Sequence, residues 1–344
     1  MSSEGPAAGT WYGMCTGAGG RSPGVRRRAL PGSTSGDVTW PTTGRGGKKR
    51  FPTFSRSSVS DPIATMVHPS RGAFGGHPGM RGRPGTCEGG GTTGYHMGGA
   101  TVNIEYHKWW SPNLGQEMEL KVYGHAGKPA LAFPSITGMF TEFEDTGMVD
   151  ACRLFLNEGK VQLFTVDSIN HQTWLNGNAP LADRANRHNR YERYIVDEVV
   201  PYARWRSGDD GIMGMGCSFG GYNATNFFLH RPDIFDAVIS LSGFFRLKHF
   251  VGEVDETVYF HEPLAYLPNL DDPWFLDRYR SGRIVLCAGQ GDHEDIFLAD
   301  TLELRRILEE KQIPAWVDIW GHDVSHDWPW WKIQMPYFLR HMGF

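Results

Sequence analysis

No CxxC pair occurs among the five cysteines, Cys15, Cys87, Cys152, Cys217 and Cys287. A disulfide framework or a thiolate zinc site would need even numbers or paired spacing, so neither is expected. Cys152, Cys217 and Cys287 fall in apolar segments, where free buried thiols and a reducing compartment fit best. No apolar run reaches the length of a membrane span, so no membrane partner is expected. No large excess of either charge is present: the net charge of −4 gives no electrostatic footprint for a nucleic-acid partner. Met1-Ser-Ser-Glu-Gly-Pro6 lacks a basic region followed by an apolar core. No secretory signal is therefore read there, and the expected location is cytoplasmic.

Residues 1–100 also lack sustained periodicity of either kind. They are dense in Gly, Ser, Thr, Pro and Arg, as in Gly85-Thr-Cys-Glu-Gly-Gly-Gly-Thr-Thr93. Such a stretch buries too little apolar surface to offset the entropy of ordering it, and it is read as disordered. Lys48-Lys-Arg50 within it is read as a solvated charge cluster. A start at Met97, with the preceding residues not native, is a further expectation.

What is present begins near Thr101. Val102–Trp109 and Met118–Tyr123 read as two strands around the hairpin loop Ser111–Gly115. Ala130–Phe133 and Val161–Val166 are the next strands, with a helix over Glu144–Asn157 between them. Asp167–Asn186 reads mostly as loop, and Arg190–Tyr202 as an amphipathic helix with Tyr194, Ile195, Val199 and Tyr202 on one side. Four more strands are expected: the apolar run from Gly211, Ala237–Leu241, Ile284–Cys287 and Trp316–Trp320. Helices are expected over Asn223–His230, Asp300–Lys311 and Trp330–Met342. Strands alternating with helices predict an α/β protein, a mostly parallel eight-stranded sheet with helices on both faces and its site at the carboxyl ends of the strands. Residues 101–344 form that domain. Phe244–Gly282 is too long for a simple loop and is read either as a cap over the site or as a packed helix pair.

Gly211-Ile-Met-Gly-Met-Gly-Cys-Ser-Phe-Gly-Gly-Tyr222 is the centre of the chain. Its apolar start, the G-x-S-x-G of Gly216–Gly220 and the helical segment beyond match a strand–turn–helix that thrusts a serine out above a sheet. An ordinary glycine-rich turn would share the composition, so the partners decide. A serine hydroxyl needs an adjacent base, and the base a carboxylate to orient it. Asp292, Glu294 and Asp295 follow the seventh strand; His322 and His326 follow the eighth. The order Ser, acid, His is that of the α/β-hydrolase fold. Ser218 is the candidate nucleophile, and His326 is preferred to His322 as base. Asp292 is ranked first as acid, being nearest the strand end, with Glu294 second. A zinc site at His322 and His326 is disfavoured by Pro329 and by the lack of a third ligand. An oxyanion hole is expected from the N–H groups of Phe219 and of Ile136, in the loop after the third strand. Trp174 is a candidate for lining the substrate cleft.

Gly216-Cys-Ser-Phe-Gly-Gly-Tyr222, Ile239-Ser-Leu-Ser-Gly243, His326-Asp-Trp-Pro-Trp-Trp331 and the opening hairpin Tyr106–Gly115 together resemble the putative esterase family of α/β-hydrolases. That family includes relatives of esterase D, feruloyl esterases and mycolyltransferases. The resemblance spans roughly Asn103 to Gly343. It implies a serine esterase with Ser218 as nucleophile and His326 as base, and it leaves the acid open between aspartate and glutamate. The expected activity is cleavage of a small-molecule or polymeric carboxylic ester through an acyl-enzyme, with no cofactor. An acyltransferase using the same residues, or a non-catalytic binding protein on the same fold, are the alternatives. Acyl and alcohol specificity and oligomeric state are not legible.

Overall fold

The computed structural model describes residues 101–252 and 254–344. The readings made for residues 1–100, including Met97 as a start, lie outside the described residues.

Eight strands form one sheet in the order β1-β2-β4-β3-β5-β6-β7-β8. They are β1 Ile104–Ser111, β2 Gln116–Tyr123, β3 Lys128–Phe133, β4 Val161–Val166, β5 Ile212–Cys217, β6 Phe235–Leu241, β7 Arg283–Ala288 and β8 Trp316–Ile319. The hairpin β1–β2 is antiparallel, β2 meets β4 antiparallel, and β3 to β8 are parallel. β4, β5 and nearly all of β3, β6 and β7 are buried, as expected of parallel strands covered on both faces. The edge strand β1 alternates exposed and half-buried residues instead. The expected α/β-hydrolase architecture is the one observed.

The longer helices are α1 Leu181–Tyr194, α2 Val200–Ser207, α3 Phe219–His230, α4 Pro273–Ser281, α5 Asp295–Glu310 and α6 Trp328–His341. On one face, Met213, Met215, Cys217, Ile239, Leu241 and Cys287 pack beneath Phe143, Phe155, Trp331, Met335 and Phe338. Residues two apart on each strand share this core because a strand's side chains alternate between its faces. On the other face α3 lies against β3, β5 and β6. That approach needs glycine. A Cβ on Gly216 would sit 2.3 Å from the Gly220 carbonyl carbon, and one on Gly220 would sit 2.1 Å from the Phe133 oxygen.

Three expected boundaries change. The helix read over Glu144–Asn157 is three short pieces, Glu142–Asp145, Met148–Ala151 and Arg153–Asn157. Gly147 at φ 80° and Cys152 near φ −93°, ψ 0° separate them. The loop read up to Asn186 ends earlier, because α1 begins after Pro180, in a stretch whose many polar residues hide its helical period. From Ile195 to Val199 the helix widens into a π turn just ahead of Pro201. Proline has no N–H to give the preceding turn, and a widened turn relieves its ring's clash. Finally, Phe244–Gly282 is neither a simple loop nor a helix pair. It is a succession of short turns, Lys248–Val251, Tyr259–His261, Pro263–Tyr266 and Leu267–Asn269, before α4.

Candidate active site

Ser218 stands between β5 and α3 with φ 55° and ψ −120°. A positive φ is unfavourable for a residue with a Cβ, and such strain persists only where the surroundings hold it. Here the Ser218 N–H donates to the Leu241 carbonyl at 2.8 Å, and the Tyr222 N–H donates to the Ser218 carbonyl at 3.1 Å. The side chain is thereby raised at the carboxyl edge of the sheet and at the N-terminus of α3. His326 lies in the turn between β8 and α6, and its Nε2 is 2.9 Å from Ser218 Oγ. Phe297 stacks on the imidazole with centroids 3.8 Å apart, and Trp331 meets it edge-on at 4.8 Å. The ring is therefore held by packing as well as by the hydroxyl.

The two carboxylates after β7 occupy different positions. Glu294 is 1% exposed, and its Oε1 lies 3.7 Å from His326 Nδ1. Asp292 is exposed, and it is its backbone carbonyl that accepts from the His326 N–H, at 3.0 Å. The first-ranked acid of the sequence reading thus does not face the imidazole, and the second does. The reason is backbone pairing between the two loops: the Gly291 N–H also donates to the Val324 carbonyl at 2.8 Å. That pairing turns the Asp292 side chain outward and brings Glu294, at the start of α5, under the ring. His322 is exposed in the turn before Val324, away from the serine's hydrogen bond.

The loop Ser135–Gly138 after β3 is braced from three sides. The buried carboxylate of Glu142 accepts from the Ser135 N–H at 2.7 Å and from the Ser135 hydroxyl. Asn170 Nδ2 donates to the Ser135 and Ile136 carbonyls at 3.3 and 3.1 Å, and Ser168 Oγ to the Gly138 carbonyl at 2.9 Å. Burial raises the Glu142 carboxyl above its ordinary value, against the two Ser135 hydrogen bonds that lower it. Close contact of Gly220 with the Phe133 and Pro134 carbonyls brings this loop beside the start of α3, where Phe219 follows the serine. Ile136 and Phe219 are so gathered into one apolar neighbourhood with Tyr222, Phe244 and Phe297.

Trp174 is not a cleft residue. It is 1% exposed, and its ring packs against His188 and His261 at centroid distances of 4.9 and 5.1 Å. Its bulk serves the core between α1 and the insertion. The sequence reading also passed over Ser242, Glu142 and Asn170 as contributors to the site. Ser242 was marked only as part of Ile239–Gly243, and nothing in the residue types signals the other two.

Among the described residues no group of three or more His, Cys, Asp or Glu side chains could hold a metal ion. Among the same residues no helix is long and apolar enough to cross a membrane.

A serine on a strained strand–helix turn with an imidazole at hydrogen-bond distance defines a serine hydrolase of the α/β-hydrolase fold. The model of the family described as "Putative esterase" matches residues 111–342, and the chain belongs to that family. It is a carboxylic ester hydrolase. None of the curated proteins matches the chain. Among solved structures it is similar to a ferulic acid esterase, with 17% identity, TM-score 0.57, and coverage of 70% of this chain and 98% of the other. It is likewise similar to an S-formylglutathione hydrolase from Staphylococcus aureus, with 18% identity, TM-score 0.52, and coverage of 72% and 99%. A third is a ferulic acid esterase from Anaeromyces mucronatus in complex with ferulic acid, at 12% identity, TM-score 0.54, and coverage of 72% and 92%. At these identities the structural likeness concerns the fold.

Proposed function

We propose that the chain cleaves carboxylic esters through an acyl-enzyme on Ser218, with His326 as general base and Glu294 as the acid that orients it. The observation that carries this reading is the 2.9 Å approach of His326 Nε2 to the hydroxyl of a serine held at positive φ. Ser218 Oγ attacks the ester carbonyl as Nε2 takes its proton. The oxyanion meets the N–H groups of Phe219 and Ile136 at the positive end of α3. The tetrahedral intermediate collapses as the imidazolium returns its proton to the leaving alcohol. Water then repeats the sequence on the acyl-enzyme, releasing the acid and restoring Ser218. Each step uses only groups of the chain and water.

Phe250, from the insertion, lies 5.5 Å from the Phe219 ring, and Phe244 lies 5.0 Å from it. Phe244 is fully buried, whereas Phe250 is half-buried, so Phe250 is the insertion aromatic placed to meet an apolar or aromatic acyl group beside the residue that follows the nucleophile. A panel of p-nitrophenyl esters of rising acyl length, extended to methyl esters of hydroxycinnamic acids, tests both parts. Turnover of at least one ester, lost in Ser218→Ala, is expected. No turnover of any member, with the serine unreactive to a fluorophosphonate, would overturn the reading.

A further inference from the structure

At the carboxyl end of β6, next to the strand that ends in the nucleophile, stands a second serine in the left-handed region. Ser242 has φ 48° and is fully buried. Its N–H donates to the Cys287 carbonyl at 2.6 Å, which ties it to β7, the strand that leads into the Glu294 loop. Its hydroxyl lies between two groups of this site. Trp331 Nε1 is 3.1 Å from Ser242 Oγ, and Ser242 Oγ is 2.5 Å from Glu294 Oε1. An indole N–H can only donate, so the serine oxygen accepts from Trp331. The single hydroxyl proton is then left for the carboxylate. The direction of this chain is fixed by chemistry: Trp331 to Ser242 to Glu294.

Glu294 Oε1 is also the oxygen that faces His326 Nδ1, at 3.7 Å. Glu294 Oε2 and His326 Nδ1 are both buried without a hydrogen-bond partner. The hydrogen bond from Ser242 is therefore what anchors the acid under the imidazole while Nδ1 still stands beyond hydrogen-bond reach. We infer that Ser242 is a positioning residue for ester hydrolysis, holding Glu294 aimed at His326, with Trp331 fixing the direction of its hydroxyl. This rests on the reading of Ser218, His326 and Glu294 given above.

A donor to a buried anion favours the anion, so its removal raises the proton affinity of the acid. His326 Nδ1 faces that carboxylate across 3.7 Å, so a change at Glu294 is read out at the base. The surrounding ionisable groups leave this effect to Ser242. Cys287 is buried, and its thiol is pushed well up by burial and by the charges of Asp318 and Glu294, so it stays neutral. Asp292, His293 and Asp327 are exposed to solvent.

Ser242→Gly is the informative variant, because glycine accepts φ 48° and loses only the hydroxymethyl group. The expected result is a shift of the acid limb of the kcat/KM–pH profile to higher pH by about half a unit or more. At the plateau kcat should fall by roughly three- to tenfold, with KM unchanged within about twofold. Trp331→Phe keeps the hydroxyl but frees its direction, and should shift the limb the same way by less. Should Ser242→Gly not fold, Trp331→Phe carries the test alone. A merely structural serine would lower Tm and leave the limb in place. An unmoved limb, or one moved to lower pH, overturns the inference. Ser218→Ala assayed in parallel separates the two levels: if it stays active, the reading of the site fails, whereas an inactive Ser218→Ala beside an unmoved limb contradicts only the role of Ser242.

Discussion

A histidine–glutamate pair lies beside each end of helix α3, and the two pairs differ. At its N-terminus, His326 places Nε2 on the Ser218 hydroxyl and Nδ1 3.7 Å from Glu294. At its C-terminus, His230 Nδ1 is 3.2 Å from both Glu192 oxygens, and Nε2 is 2.6 Å from the Phe260 carbonyl. A carbonyl and a carboxylate can only accept, so both His230 nitrogens carry protons and the ring is an imidazolium. Burial pulls that imidazole down, but the charge and hydrogen bond of Glu192 outweigh it and the net direction is up. Burial likewise raises Glu192, and His230 outweighs that to bring it down. The charged ring sits in the last turn of the helix, where a cation suits the macrodipole. His326 instead meets a hydroxyl, which can donate, so one nitrogen can remain an acceptor. One pair type is thus built either as a lock or with a nitrogen left free to accept a proton, according to what the second nitrogen meets.

Removing groups at the reactive end should have the largest effect. Ser218→Ala is expected to lower kcat by ~10⁴-fold or more, and His326→Ala to match it, since such groups act as a unit. His322→Ala should leave kcat within a few-fold. Steady-state ester hydrolysis measures all three, and a dead His322→Ala beside an active His326→Ala would exchange their roles.

The next contrast lies between the two carboxylates of one loop. Glu294→Gln should cost ~10²- to 10⁴-fold in kcat, because a neutral amide neither fixes the tautomer nor stabilises the imidazolium. Asp292→Asn, altering an exposed side chain, should cost no more than about threefold. The reverse ranking would restore Asp292 as the acid.

At the locked end the expected loss is of stability rather than chemistry. Glu192→Gln removes the charge that holds the buried His230 protonated, so the ring loses its proton, and the fold should be destabilised by about 1–3 kcal/mol in denaturant titration. Activity per folded molecule should stay within about threefold. An intact midpoint with lost activity would show that the two ends are coupled.

The smallest effect concerns the rings beside that lock. His188 is buried and pulled down to about 3, by burial first and by His230 second; His261 is pulled well down by burial and by both neighbours. Folded, these rings bind fewer protons than the unfolded chain at any pH between the ordinary histidine value and their own. Stability is therefore full above about 6.5 and declines as pH falls through that window, by at most ~1.4 kcal/mol per unit and per ring. His230, raised rather than lowered, acts on the other side: its contribution is present below about 6.5 and is lost as pH rises through its folded value. His188→Phe should flatten the acid limb of a Tm–pH curve, and an unchanged slope would show that His188 is not held neutral.

Much of this arrangement was legible in the chain. β4 could be read residue for residue because a strand covered on both faces is a short, continuous apolar run, and Gly216–Gly220 announced the turn because only glycine fits so close to Phe133. Which carboxylate faces His326 was not legible. Asp292 is nearer the strand end, but the pairing of its loop with Val324 and His326 turns its carboxylate to solvent, and no residue type encodes that pairing. Trp174 misled for a related reason, since a tryptophan in a long loop looks the same in sequence whether it lines a cleft or fills a core. The polar α1 was shortened because His188, Tyr191 and Glu192 are buried by a network formed with α3 and the insertion, not by an apolar stripe.

In the proposed mechanism His326 arms Ser218 at the N-terminal end of α3. Fluorophosphonate labelling followed by peptide mass mapping tests it most directly. One stoichiometric adduct is expected on Ser218, with its rate of formation falling by ~10²-fold or more in His326→Ala and little in Glu192→Gln. An adduct on another residue, or undiminished labelling of Ser218 without His326, would contradict the account.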